Sequence, residues 1–438
     1  MRRQVAVVAA GLAATVVLSA SAPLRLSAQV TTAPKLAPPR PFVSPKVETV
    51  KLANGLTIEL VQMHKLPLVN VSLLLPGGGR LDGDLPGLAS FTADMLDEGA
   101  AGRDAIGIAA EAAYLGSDLN TGADWDRTTV SISGPKRTLP AALDLMADVA
   151  LRPDFRPSEI EKRRGLRMAD LIQRRDVPAA VAALVANALV FPAGHPYHAS
   201  LDGDSASTTR LDSATVRAFY RGISDPRHAT VVITGDVTLA EARQLITKRF
   251  GTWKGAAKLP APPATIPAPI TRPTTLFLVD KPGAAQSVII IATPGVERST
   301  PDYFAIQVMN TILGGSFSSR LNQDLRETKG YTYGAGSRFQ FRPVPGYFAA
   351  SAAVRTNVTD SSLVEFFSQI RAIRDSLIQP VELTRAQQYL ALALPGDFET
   401  TGQVAGQVQG LLLFGLPFAW YDGYRTSVDR VTRADVQR

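Results

Sequence analysis

An arginine and a tyrosine seven residues apart, Arg326 and Tyr333, stand in the segment Leu325-Arg326-Glu327-Thr328-Lys329-Gly330-Tyr331-Thr332-Tyr333. A guanidinium and a phenolic hydroxyl both donate hydrogen bonds. Together they can hold a carbonyl oxygen and the negative charge that develops on it under attack. Gly330 predicts the end of a helix that contains Arg326, and Thr332–Phe341 reads as a strand. The pair would then project from a helix's last turn and from the strand after it. The plainer reading is that Arg326 pairs with Asp324 or Glu327 and that Tyr333 packs in a sheet. By two-residue alternation Tyr331 shares the strand face of Tyr333, so either aromatic fits the pattern.

Other chemistry is sparse. The chain has no cysteine and only four histidines, His64, His195, His198 and His228. Lack of cysteine excludes a thiol nucleophile, a structural disulfide and a lipid-modified cysteine anchor. His195 and His198 flank Pro196-Tyr197, where a turn brings them close, but no cysteine or glutamate base completes a metal set, and a loop role is expected. There is no Gly-x-Ser-x-Gly elbow and no phosphate-binding Gly-rich loop. Gly77-Gly78-Gly79 and Gly314-Gly315 lack the Lys-Ser/Thr that such a loop needs, so they read as turns with positive φ.

The elements that would position these residues form two copies of one plan. Val47–Val50 and Leu56–Val61 are strands around the turn Asn54-Gly55, and Leu68–Leu75 is a third. Helices follow at Leu88–Leu96 and Ala105–Tyr114. Next come strands at Asp118–Thr121 and Thr128–Ser133, then helices at Leu139–Ala150 and from Pro157 through Leu171. Helices at Val181–Leu189 and Ser213–Tyr220, the strand Ala229–Gly235 and the helix Leu239–Phe250 close the first copy. The second copy repeats the order with strands at Thr275–Val279 and Ser287–Thr293. It continues with helices at Tyr303–Leu313 and Ser318–Glu327, strands at Thr332–Phe341 and Tyr347–Arg355, the helix Ser361–Ser376 and a long helix from Pro380. Arg210-Leu211-Asp212-Ser213-Ala214-Thr215-Val216-Arg217 matches Arg430-Val431-Thr432-Arg433-Ala434-Asp435-Val436-Gln437. The first copy runs on past this point through a strand and a helix, so the second repeat reads as truncated at its end, leaving a sheet short of one strand.

Residues 1–28 read as a secretory leader: Arg2 and Arg3, the apolar stretch Val5–Val17, and a cleavage site after Ala28. Ser19–Ala22 is a second possible end, and the apolar run is short for a membrane anchor. Residues 29–45 are a proline-rich, disordered lead-in, 46–254 the first domain, 255–272 a proline-rich linker and 273–438 the second domain. The 438 residues are too many for one ordinary core. The formal charge is +7. Removing Arg2, Arg3 and Arg25 of the leader leaves 7 − 3 = +4, and no basic run or basic-aromatic interleaving points to nucleic acid.

Taken in order, these segments resemble the M16 (pitrilysin/insulinase-type) metallopeptidases, of the M16B kind. Val50-Lys51-Leu52-Ala53-Asn54-Gly55-Leu56 looks like the family's opening strand turn. Gly87 through Gly99 is similar to its zinc helix, and Phe191-Pro192-Ala193-Gly194-His195-Pro196-Tyr197 to its His-Pro-Tyr turn. Leu313 through Leu321 resembles the Gly-rich helix start of the second domain, and Arg326 through Tyr333 the substrate-binding Arg/Tyr segment. The resemblance covers residues 45–438. It implies an α+β fold of two tandem homologous domains, each a mixed or antiparallel sheet flanked by helices, of the LuxS/MPP-like metallohydrolase type.

An active member of that family carries His-x-x-Glu-His on a helix. Two imidazoles one turn apart hold zinc, with the Glu as base and a later Glu as third protein ligand. Here the histidine positions are Ser90 and Asp94, the base position is Ala93, and the third-ligand position falls at Ala169 or Asp170. Asp94 with Asp170 would offer two carboxylates and no nitrogen, a poor zinc site, and Asp94 and Asp97 are expected on a solvated helix face. The resemblance therefore implies an exported, periplasmic M16B-like subunit with no cofactor of its own. It would pair with an M16 chain that has an intact His-x-x-Glu-His and holds the zinc, and Arg326 and Tyr333 would grip the peptide substrate. The alternative is a non-catalytic peptide-binding or scaffold protein with this fold. A self-sufficient peptidase is disfavoured by Ser90 and Ala93.

Overall fold

Asn54-Gly55 turns the chain between β1 (Glu48–Lys51) and β2 (Thr57–Gln62). Gly55 sits at φ +95°, a conformation that favours glycine. The computed structural model describes residues 42–255 and 265–438. The leader, most of the lead-in and residues 256–264 of the linker lie outside the described residues. The end of the lead-in is packed rather than disordered: the Phe42 ring lies 4.8 Å from Phe398, and Ser44 N donates to Asp422 Oδ1 at 2.9 Å.

β3 (Leu68–Pro76) is buried at every position from Val71 to Leu75, as a strand covered on both faces must be. After it come α1 (Leu88–Asp94), a two-residue hairpin of β4 (Gly99–Ala100) and β5 (Arg103–Asp104), and α2 (Ala105–Tyr114). Asp104 caps α2 by accepting from Gly107 N at 2.8 Å. Then follow β6 (Asp118–Ala123), β7 (Arg127–Pro135), α3 (Leu139–Leu151), α4 (Pro157–Arg174), α5 (Pro178–Val190), α6 (Ser205–Thr209), α7 (Ser213–Ile223), β8 (Thr230–Gly235) and α8 (Leu239–Phe250). The sheet has the order β1-β2-β8-β3-β7-β6. β8 runs parallel to β2 and antiparallel to β3, so the sheet is mixed. Its core draws on residues from Leu52 to Phe250.

The second half holds β9 (Gln286–Pro294), α9 (Tyr303–Asn310), α10 (Arg320–Asn322), β10 (Thr332–Phe339), β11 (Tyr347–Arg355), α11 (Thr359–Asp375), α12 (Pro380–Ala393), α13 (Thr401–Leu413), α14 (Tyr424–Asp429) and α15 (Arg433–Gln437). Its sheet, β10-β11-β9, is antiparallel throughout and repeats the β6-β7-β3 part of the first. Its core draws on residues from Ile289 to Val436. The repeat extends to the caps. Asp212 accepts from Thr215 N at the start of α7, and Thr432 accepts from Asp435 N at the start of α15.

Three expectations fail. Residues 275–279 form no strand, and Leu276 and Leu278 are 76% and 88% exposed. In the first sheet, β2 is held by ladders to β1 and β8. Among the described residues nothing offers 275–279 either ladder, and an unpaired segment is not a strand. Second, of the Gly77-Gly78-Gly79 turn only Gly77 has positive φ, and neither Gly314 nor Gly315 does. Gly314 is there for close approach, since a Cβ on it would meet Ser337 N at 2.3 Å. Third, the helices expected at Tyr303–Leu313 and Ser318–Glu327 both end in wide turns with five-residue hydrogen-bond spacing, Thr311–Gly315 and Gln323–Thr328. Lys329 N donating to Asp324 O at 3.0 Å is one such bond.

The halves exchange helices. α5 of the first half packs on β9 of the second, and α13 of the second packs on β8 and β3 of the first. Val404, Ala405 and Val408 of α13 meet Val61, Leu74 and Val232 on the sheet face turned away from the first core. At the other end, Val190, Phe191 and Tyr197 meet Tyr347 and Ala349. No helix among the described residues is long and apolar enough to cross a membrane.

Candidate functional site

α1 begins at a buried carboxylate. Asp82 accepts from Gly87 N through Oδ2 and from Ala89 N through Oδ1, each at 2.8 Å, which satisfies two of the orphan donors at the helix start. Burial pushes its carboxyl up to about 7, against the pull of the two backbone donors and of Arg167. Ser90 and Ala93 are buried one turn apart, and Asp94 ends the helix.

The side chain that faces them comes from α4 and is a cation. Arg167, 6% exposed, donates from Nη1 to Ser90 Oγ at 2.9 Å and to Asp202 O at 3.1 Å, and from Nη2 to Asp94 Oδ2 at 2.5 Å. Its guanidinium carbon lies 5.4 Å from the centre of the Phe91 ring. Arg163, one turn earlier, reaches the same Asp94 oxygen at 3.0 Å and Glu98 at 3.8 Å. Asp94 is thus an ion-pair partner rather than part of a solvated face. Asp97 too is largely withdrawn from solvent, and burial raises its carboxyl above the usual range. Ala169 and Asp170 are exposed and take no part. The inward positions of α4 at this level are Arg163 and Arg167. Their four-residue spacing puts them on one helix face, but nothing in the sequence says that this face is turned toward α1.

This donor set does not suit zinc. It offers one hydroxyl and one carboxylate, already committed to a guanidinium, with no imidazole and no thiolate. No group of three or more His, Asp or Glu among the described residues could hold a metal ion. His195 and His198 are engaged in their loop. His195 Nδ1 accepts from Tyr197 N at 3.0 Å with its ring stacked on Phe191, and His198 Nδ1 bonds Phe191 O at 2.7 Å. Burial, with Arg342 nearby, holds His195 down at about 4. His64 pairs with Asp236 at 2.7 Å.

The Arg326–Tyr333 segment has a different character. Gly330 turns the chain at φ +62°, with its N–H donating to Arg326 O and that of Tyr331 to Leu325 O. Arg326 lies over the Phe317 ring at 4.6 Å and approaches Glu327 at 3.4 Å, while Asp324 pairs with Lys329 instead. Tyr333 is 91% exposed. The register shifts between Thr332 and Ala335, and Thr332 Oγ1 donates to Ala353 O across the bulge. Tyr331, ahead of the bulge, packs against the second core. The two tyrosines therefore do not share a face, and Tyr333 is the one turned outward. No hydrogen bond or ring contact joins Arg326 to Tyr333 among the described residues. What relates them is Asn322 of α10, whose Oδ1 accepts from Ala335 N at 3.3 Å and ties β10 to the Arg326 helix.

Residues 57–190 match the family described as Insulinase (Peptidase family M16), and residues 210–390 match the Peptidase M16 inactive domain. The chain belongs to peptidase family M16. Among its M16-like relatives is an uncharacterized zinc protease of Mycobacterium bovis, 25% identical over 350 residues, which cover 80% of this chain and 77% of that protein. Subunit 1 of the mitochondrial cytochrome b-c1 complex of Bos taurus is 25% identical over 272 residues, 62% of this chain and 56% of that one. A solved M16 inactive domain from Pseudomonas fluorescens superposes with a TM-score of 0.82 at 25% identity, covering 89% of this chain and 93% of that one. The periplasmic protease PqqL of Escherichia coli shares the fold, with a TM-score of 0.71 at 17% identity, over 90% of this chain and 46% of that one. The α+β architecture of paired sheets and exchanged helices is thus an M16 fold, and Ser90, Ala93 and Asp94 all lie on α1.

Proposed function

We propose that this chain is the non-zinc subunit of an exported, two-subunit M16B-type metallopeptidase. Zinc, base and attacking water come from a related partner with an intact His-x-x-Glu-His, and this chain contributes Arg326 and Tyr333. The observation that carries the reading is Tyr333. A large aromatic with a hydrogen-bonding hydroxyl is held in water by a bulge, and the donor-rich Arg326 stands on the element to which its strand is tied. Both groups can donate to a scissile carbonyl and stabilise the oxyanion it becomes. In the α1–α4 cluster, by contrast, the hydroxyl of Ser90 and the carboxylate of Asp94 are committed to Arg167 and no imidazole stands beside them, so in this reading the chain grips a peptide without hydrolysing it.

The test mixes the purified chain with an M16 partner that has an intact zinc helix and follows cleavage of an unstructured peptide. Hydrolysis should need both chains. Arg326→Ala and Tyr333→Phe should each lower kcat/KM, with a loss of about 10²–10³-fold for the removal of one oxyanion donor. Activity that survives both substitutions, or cleavage by this chain alone, rejects the assignment.

A second reading, a peptide-binding or scaffold protein, is favoured by the likeness to a protein named as a subunit of the cytochrome b-c1 complex. It predicts binding of a partner or peptide with no hydrolysis in any mixture.

A further inference from the structure

The helices α1 and α4 are the two that a family zinc ion would bridge, and here they are bridged by a side chain. Arg167 is buried and makes three hydrogen bonds: one to a residue on each turn of α1, Ser90 and Asp94, and one to the backbone of the loop at Asp202. Its face rests near the Phe91 ring. Beside it Arg174 pairs with the Asp202 carboxylate, so the same loop is held twice by α4. A buried guanidinium is tolerated only where its charge and its donors are matched, and this one is matched by the residues that stand at the metal-ligand positions. We propose that Arg167 is a built-in cation that replaces the metal. It cross-links α1 to α4 through Ser90 and Asp94, and its positive charge keeps divalent ions out of the acidic neighbourhood of Asp82, Asp94, Asp97 and Glu98.

The inference does not depend on any partner or on catalysis. Two features separate a metal substitute from an ordinary ion pair. The bridge spans the two helices that the resemblance assigns to the ion, and it closes on Ser90 and Asp94, the positions the resemblance gives to ligands, rather than on surface carboxylates such as Glu161. Lysine is a weaker substitute, since an ammonium lacks the planar fork that reaches a hydroxyl, a carboxylate and a carbonyl at once.

The test uses the full chain with zinc, with a chelator and with neither. Metal content after zinc loading and the thermal midpoint are read for wild type, Arg167→Met, Asp94→Leu and the double variant. Wild type should retain no stoichiometric zinc and should melt at the same temperature in all three conditions. Asp94→Leu leaves the buried Arg167 without its carboxylate and should lower Tm on the order of 10 °C, whereas Arg167→Met leaves Asp94 to Arg163 alone and should lower it by less. The double variant should lose clearly less than the two losses added, the sign of direct coupling. If Arg167→Met does not fold, recovery of a folded chain by adding Asp94→Leu supports the bridge, and Arg167→Lys should melt between wild type and Arg167→Met. One zinc per wild-type chain, a chelator-dependent midpoint, or strictly additive losses would overturn the proposal.

Discussion

Asp82 is a carboxylic acid in surroundings far from water. Its carboxyl is buried at the start of α1 and titrates near 7 instead of 3.8, with desolvation outweighing two backbone donors and Arg167. Between those two pH values the folded chain keeps a proton that the unfolded chain has released. Stability therefore falls as pH rises from about 4 to about 7 and levels off above. Asp82→Asn removes this dependence. Thermal melts across that range should show the variant gaining on wild type as pH rises; a difference that stays constant would place the carboxylate in a more polar setting than its burial implies. Tyr333 stands at the other extreme, almost wholly in solvent, and Arg326 is partly exposed over Phe317. Loss of either should change the thermal midpoint little, less for Tyr333 than for Arg326, while removing the activity proposed for them.

At the scale of elements, spacing between backbones decides what glycine does. The wide turn at Thr311–Gly315 ends against β10, and Gly314 has no room for a methyl group, which would meet Ser337 N at 2.3 Å and Gly336 C at 2.7 Å. Gly314→Ala should force the turn away from β10 and lower Tm, disturbing the strand that carries Tyr333. Gly402, in the first turn of α13, faces open space. Gly402→Ala should instead stabilise by about 0.5–1 kcal/mol. Calorimetry of the two variants checks the contrast; similar effects from both would mean that the turn yields easily. The bulge between Thr332 and Ala335 works in the same way, because one irregular step sends Tyr331 into the core and Tyr333 to solvent.

For the whole molecule, the exchange of α5 and α13 between halves holds each sheet's second face. Val408 of α13 is buried against the first half's sheet. Val408→Asp places a carboxylate there without a partner and should destabilise by about 3 kcal/mol or more, with faster proteolysis between the halves. Leu278, exposed in the unpaired stretch 275–279, is the control: Leu278→Lys should change stability by no more than about 0.5 kcal/mol. An equal response at the two positions, read by denaturant melts, would show that α13 is not what ties the halves together.

Much of this protein was legible in the order of its residues. Helix and strand periods, the Asn54-Gly55 turn, the Gly330 cap and the twice-used plan are local signals, because a few consecutive residues carry each of them. That Ser90, Ala93 and Asp94 make no zinc motif could also be read directly, since a hydroxyl, a methyl and a lone carboxylate are not imidazoles and a base. What Ser90 and Asp94 bind instead could not. Arg167 lies seventy-seven residues from Ser90, and only the placing of α4 within side-chain reach of α1 turned it, rather than Asp170, toward the cluster. Tertiary structure also decided that residues 275–279 are no strand and that Tyr333 faces water. A strand needs a neighbour's hydrogen bonds, and a side chain's face depends on a register set by another strand, so neither property belongs to the segment alone.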